Sequence, residues 1–141
     1  MRWFFDTSVL VPALLPDHVH HTRSFAAFAA VSSKNAACAA HSLAEVYATL
    51  TRYPGKQRLS AEAAALLLQE IEQRFSLVWI DGDEYVAAIH SIAKTGIVGG
   101  AVYDRLIAAC ALKANADVLF TWNVDHFKRL GVEVARRVRT P

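Results

Sequence analysis

The chain has 141 residues, 54% of them hydrophobic and 20% charged, which excludes a disordered protein and fits one domain that buries its own core. Lys+Arg of 15 against Asp+Glu of 13 leaves a net charge of +2, too small to mark a nucleic-acid binder by charge alone. No apolar run approaches the ~18 residues of a membrane span, and Asp6 interrupts the only N-terminal apolar run that could serve as a signal peptide.

Taken in order, residues 2–5 form a short strand and residues 8–15 a helix interrupted near Pro12 and stopped by Pro16. A helix follows over 19–32, then a buried strand over 36–40. Ser42-Leu-Ala-Glu45 has the form of a capping box and opens a helix that runs to Tyr53, where Pro54-Gly55 breaks the chain. Ser60 opens a helix reaching Phe75, 77–80 is a strand, and Asp81-Gly82-Asp83 turns the chain into a helix over 83–95. Gly96, Gly99 and Gly100 form a loop before an apolar helix over 102–114. A strand over 118–121, a short helix over 124–130 and a strand over 132–138 complete the chain. Strands alternating with helices predict a three-layer α/β/α fold with a mostly parallel central sheet, in a single domain over 1–141. Cys38 and Cys110, both among alanines, are expected as buried free thiols suited to a reducing cytosol.

Most acids fall in turns or on helix faces, where solvent or the helix dipole accounts for them. Four positions do not. Asp6 directly follows the first strand. Asp104 leads a stripe whose other members, Ile107, Ala108, Ala111 and Leu112, are apolar. Glu45 stands between Ala44 and Val46. Asn123 and Asp125 follow the strand at 118–121. In a parallel α/β sheet, ligands bind beyond the carboxyl ends of the strands, and all four segments can reach that edge. Carboxylates that converge repel, and a divalent cation removes the conflict. Oxygen-only ligands select Mg²⁺ or Mn²⁺, and such a site suits phosphodiester hydrolysis. Each residue alone also has a plainer role: Asp6 and Asn123 as helix N-caps, Glu45 as half of a capping box, Asp104 as a first-turn acid.

The remaining polar residues carry less. His18, His20 and His21 cluster without sharing a helix face, which argues against a metal site. His41 and His126 lie near candidate segments and could touch a substrate phosphate or serve the fold alone. After Asn123, five basic residues (Lys128, Arg129, Arg136, Arg137, Arg139) outnumber Asp125 and Glu133, forming either a phosphate-facing patch or a solvated C-terminal strand.

The ordered set FFDTSVL, HSLAEVYATL, GGAVYDRLIAACAL and VLFTWNVDHF resembles the PIN domain, and within it the VapC-type ribonuclease toxins of toxin–antitoxin pairs. The resemblance runs from residue 3 to about 138. It places the family's three acids on Asp6, Glu45 and Asp104. Its fourth position, Asp or Asn among members, falls on Asn123, so a fourth acid is missing there and Asp125 is the candidate to replace it. The resemblance implies a cytoplasmic Mg²⁺- or Mn²⁺-dependent endoribonuclease, homodimeric, blocked by a small antitoxin. The expected roles are these: Asp6 and Asp104 as primary metal ligands, Glu45 at a second metal or the attacking water, Asp125 at a second metal, and Asn123 and Thr121 bonding metal-bound water or the carboxylates. Ser8 braces Asp6; Arg105, Lys128 and Arg129 contact RNA phosphates, and Trp122 offers a stacking surface. The apolar helices at 60–75 and 83–95 are candidate dimer faces.

Three other readings compete. An aspartyl-phosphate phosphatase needs a second acid two residues after the nucleophile, where this chain has Ser8. A PIN-like module that binds RNA or protein without cutting would not need the three acids. A PIN nuclease of RNA processing outside a toxin pair shares every residue named here.

Overall fold

The computed structural model describes residues 1–141. Its strands are β1 (Trp3–Phe5), β2 (Ala36–Ala39), β3 (Ser76–Val78), β4 (Val118–Phe120) and β5 (Val138–Arg139). They form one sheet in the order β3-β2-β1-β4-β5, and every pairing is parallel. The sheet is thus wholly parallel where the sequence predicts mostly parallel. β1 is central, with Phe5 level with Cys38 on one side and Phe120 on the other.

Helices α1 (Thr7–Leu14), α2 (His21–Ala29), α3 (Ala40–Thr51) and α4 (Ala61–Arg74) cover one face. Helices α5 (Gly82–Lys94), α6 (Ala101–Lys113), α7 (Val124–Lys128) and α8 (Val132–Ala135) cover the other. Successive strand residues point to opposite faces. Accordingly Phe4 packs with Ile107, Leu119 and Phe127, while Phe5 packs with Leu10, Val46 and Phe75. Both rings are fully buried, and together they clamp the strand whose next residue is Asp6. The stripe on α6 is as expected: Ile107, Ala108 and Ala111 are buried and Asp104 leads them.

Three local expectations differ from the structure. α1 runs unbroken through Pro12, giving up the bond that residue's N–H would have made to the Ser8 carbonyl. No capping box forms at Ser42 and Glu45: β2 passes directly into α3, whose N-cap is Ala39, so Ser42 is already inside the first turn and fully buried. The capping box belongs instead to Asp81 and Glu84, which exchange bonds of 2.9 and 3.0 Å at the start of α5. Finally, the strand predicted over 132–138 is mostly helix. Gly131, at φ 124°, turns the chain into α8, Val132 faces solvent, and only Val138 and Arg139 pair with β4.

Both thiols are buried and free, as predicted. Burial pushes Cys38 to about 12 and Cys110 to about 11, so neither offers a thiolate for metal binding or catalysis. No helix is long and apolar enough to cross a membrane.

Candidate active site

Asp6 occupies the N-cap position of α1 without capping it. Its side chain makes no cap bond, and its carbonyl alone accepts from Val9 and Leu10. The carboxylate is 3% exposed and receives two hydroxyls at Oδ2, from Ser8 and Thr121, each at 2.8 Å. Each hydroxyl has one proton and gives it to Asp6. Each then accepts a backbone N–H at 3.0 Å: Ser8 from Trp122, Thr121 from Asn123. The chain just after β4 is thereby tied to the chain just after β1. Neither hydroxyl bonds Oδ1, and Asp6 has no cationic partner.

Burial pushes the Asp6 carboxyl up to about 6, against the two hydroxyl bonds, and the charge of Asp104 adds to the rise. Asp104, half-buried in the first turn of α6, is raised by burial too. His126 and Arg129 oppose that rise and Glu45 adds to it. Glu45 accepts from Thr7 Oγ1 at 3.0 Å, and the same hydroxyl lies 2.9 Å from Ser42 Oγ. His41 approaches Glu45 at 3.9 Å, and His126 approaches Asp104 at 4.0 Å.

These groups line a cleft of about 470 Å³ whose walls include Asp6, Ser8, Glu45, Asp104, Trp122 and Asn123. Thr121 lies fully buried behind Asp6. Asn123 also sits at an N-cap without a side-chain cap bond, so the plainer roles of Asp6, Glu45 and Asn123 as capping side chains are all absent. The cleft also takes in Thr7, His18, His20, Thr49 and Tyr53. Of these the sequence singles out only His18 and His20, as a histidine cluster. The three histidines form no metal cluster. Burial, then the neighbouring His20 and His21, hold His18 low, and its Nδ1 accepts the His20 N–H at 3.0 Å.

Four expected contributors stand elsewhere. Asp125 is exposed on α7 and outside the cleft lining, because two residues along a helix turn a side chain by about 200° from Asn123. Arg105 is partly buried and donates to the Leu130 carbonyl at 3.2 Å, tying α6 to the end of α7 rather than reaching for phosphate. Lys128 and Arg129 are exposed at the end of α7, outside the lining, although the charge of Arg129 is felt at Asp104. In the tail, Arg136 and Arg137 pair with Glu133 at 2.9 and 3.0 Å, and Arg137 also donates to the Ala116 carbonyl.

No three His, Cys, Asp or Glu side chains form a ready-made cage. A hard cation that keeps its waters needs only one or two protein carboxylates. The buried Asp6, with no cationic partner and Asp104 in the same cleft, offers carboxylate oxygens that fit a hard cation such as Mg²⁺ or Mn²⁺.

Residues 3–133 match the PIN domain family. The chain belongs to that family. Among curated PIN-domain relatives, ribonuclease VapC27 of Mycobacterium tuberculosis is 36% identical over 132 residues, 92% of each chain. Ribonuclease VapC40 of the same species is 31% identical over 131 residues, covering 92% of this chain and 94% of that one. The PIN fold also superposes on VapBC2 of Rickettsia felis, solved bound to a promoter DNA fragment, with a TM-score of 0.69 and 21% identity over 99% of this chain and 98% of that one. VapC20 of M. tuberculosis, a sarcin–ricin-loop-cleaving toxin, gives 0.69 and 20% over 94% and 98%.

Proposed function

We propose that this PIN domain is a metal-dependent endoribonuclease that hydrolyses RNA phosphodiester bonds in the cytoplasm as the toxin of a type II toxin–antitoxin pair. One observation carries the reading: a buried carboxylate, Asp6, without a cationic partner, held by two hydroxyls and facing Asp104 across an open cleft. Burying an unpaired carboxylate is costly, and a fold that keeps one at a cleft is built for a cation. The curated ribonucleases named above support the substrate class.

Asp6 and Asp104 would hold Mg²⁺ or Mn²⁺. When bound, the ion supplies Lewis acidity to the phosphoryl oxygen and lowers the pKa of the attacking water. Ser8 and Thr121 fix Asp6 in one orientation. Thr7 does the same for Glu45, which orients the water. Asn123, with a free side chain at the cleft, bonds the water shell or the substrate. Exposed Lys128 and Arg129 contact RNA phosphates beside the cleft. A small antitoxin is the expected inhibitor, by analogy with the VapBC structures. Half-exposed Val86 and Ile89 on α5, with Leu66 on α4, support a homodimer built on those helices.

The test is cleavage of single-stranded RNA with Mg²⁺ by the wild-type chain and by Asp6→Asn, with growth measured on induced expression. Cleavage and growth arrest that both vanish in Asp6→Asn support the reading. Wild-type cleavage by a folded Asp6→Asn protein sinks it.

A further inference from the structure

One wall of the cleft is aromatic where the other is acidic. Trp122 is fixed at both ends: its indole N–H donates to the fully buried Ser24 hydroxyl at 2.9 Å, and its backbone N–H donates to Ser8 at 3.0 Å. His20 lies on the indole with ring centroids 3.8 Å apart and planes within 10°. The Arg23 guanidinium sits 5.4 Å from the same ring. Both stacked rings are only partly buried, and both line the cleft that holds Asp6 and Asp104. A pair that merely filled the core would have no open surface there. The wall is also set at a fixed distance from the acids, because the Ser8 hydroxyl that holds Trp122 donates its proton to Asp6 at 2.8 Å.

We propose that His20 and Trp122 form a stacking subsite for one unpaired nucleobase of a single-stranded RNA, next to the phosphate held at the acids. The inference rests on the ribonuclease reading. A nucleotide carries its phosphate and its base on different sides of the sugar, and this cleft offers a matching wall to each. Stacking tolerates any base, so the flat imidazole–indole pair provides affinity without selecting a sequence. Arg23 adds a cation beside the ring, opposite in sign to the acid wall.

Binding of a short single-stranded oligoribonucleotide is compared with that of the same oligomers made abasic at one position at a time. The comparison uses the Asp104→Asn background, which leaves the Asp6–Ser8–Trp122 chain intact. One abasic position is expected to weaken binding about tenfold. That penalty should vanish in Asp104→Asn/His20→Ala and survive in Asp104→Asn/His20→Phe, which keeps a ring on Trp122. Absence of any abasic penalty, no binding at all, or a penalty unchanged by His20→Ala in a protein that melts like its parent each overturns the subsite. RNA cleavage by the wild-type chain is scored separately. An enzyme that cuts but shows no abasic penalty loses the subsite alone. A chain that shows the penalty but never cuts loses the ribonuclease reading alone.

Discussion

The Ser8 hydroxyl gives its one proton to Asp6 at 2.8 Å while accepting the backbone N–H of Trp122 at 3.0 Å. Ser8→Ala removes both bonds at once. A hydrogen bond to a buried charge is worth about 1.5–3 kcal/mol, and the stranded N–H adds to the loss. The Ser8 bond also holds the Asp6 carboxyl down against burial, so the variant should titrate higher. Ser8→Ala is therefore expected to melt earlier, and the acid limb of its pH–rate profile should move to higher pH. A profile identical to wild type would remove Ser8 from the site.

Metal-free stability should carry the signature of Asp6. Its folded pKa, about 6, lies above its ordinary 3.8, so between those values the folded state binds more protons than the unfolded state. Stability from this group is then full below pH 3.8 and is lost as pH rises through about 6, by about 3 kcal/mol in all once the pH is above both values. Asp6→Asn should raise the melting temperature of the EDTA-treated protein at pH 8 and much less at pH 5. Mg²⁺ should stabilise wild type more at pH 8 than at pH 5, and Asp6→Asn little at either. Equal metal-free melting of the two proteins at pH 8 would mean that Asp6 is not strained in the way its burial implies.

Thr7 shares one hydroxyl between Ser42 and Glu45. Thr7→Val keeps its shape and removes the proton that orients Glu45. Positioning partners of this kind are worth roughly 10–100-fold in metal affinity or activity. The variant should lose about tenfold in kcat and need more Mg²⁺ for half-maximal rate, and it should melt earlier because the buried Ser42 hydroxyl loses its Thr7 partner, by about 1–3 kcal/mol. A shift in KM for RNA alone would argue that Thr7 only shapes the groove.

Asn123 and Asp125 separate cleanly. Asp125 is exposed and off the cleft, so Asp125→Asn should leave the Mg²⁺ titration where it was. Asn123→Asp places a fourth carboxylate at the cleft and should lower the Mg²⁺ concentration needed for cleavage. The reverse pair of results would hand the fourth-acid role back to Asp125.

Two tetrads show where a sequence stops being legible. Ser42-Leu-Ala-Glu45 and Asp81-Gly-Asp-Glu84 both fit a capping box, and only the second forms one. The difference lies upstream: β2 runs into α3 without a turn, which moves Ser42 past the capping position. Val132 to Val138 looks like a strand because its valines alternate at first, and Gly131 overrides them. The acids were legible because each is locally anomalous, a charge at the head of an apolar stripe or at a strand end. Trp122 was legible as a stacking surface, but Thr7 and the pairing of His20 with that ring were not. An ordinary threonine and a histidine in a loop acquire meaning only through partners 38 and 102 positions away (45 − 7 and 122 − 20).

The central place of β1 has a consequence for biosynthesis. Asp6 precedes Thr121 by 115 positions, yet the Thr121 hydroxyl is one of the two that hold it, and β1 pairs with β4. A ribosome must release β4 before β1 finds its second neighbour. A nascent polypeptide thus carries Asp6 without the Thr121 hydroxyl, and without the Trp122 and Asn123 wall of the cleft, until that strand has been made. The order of strands in space, set against their order in time, delays the closing of the Asp6 surround until β4 joins the sheet.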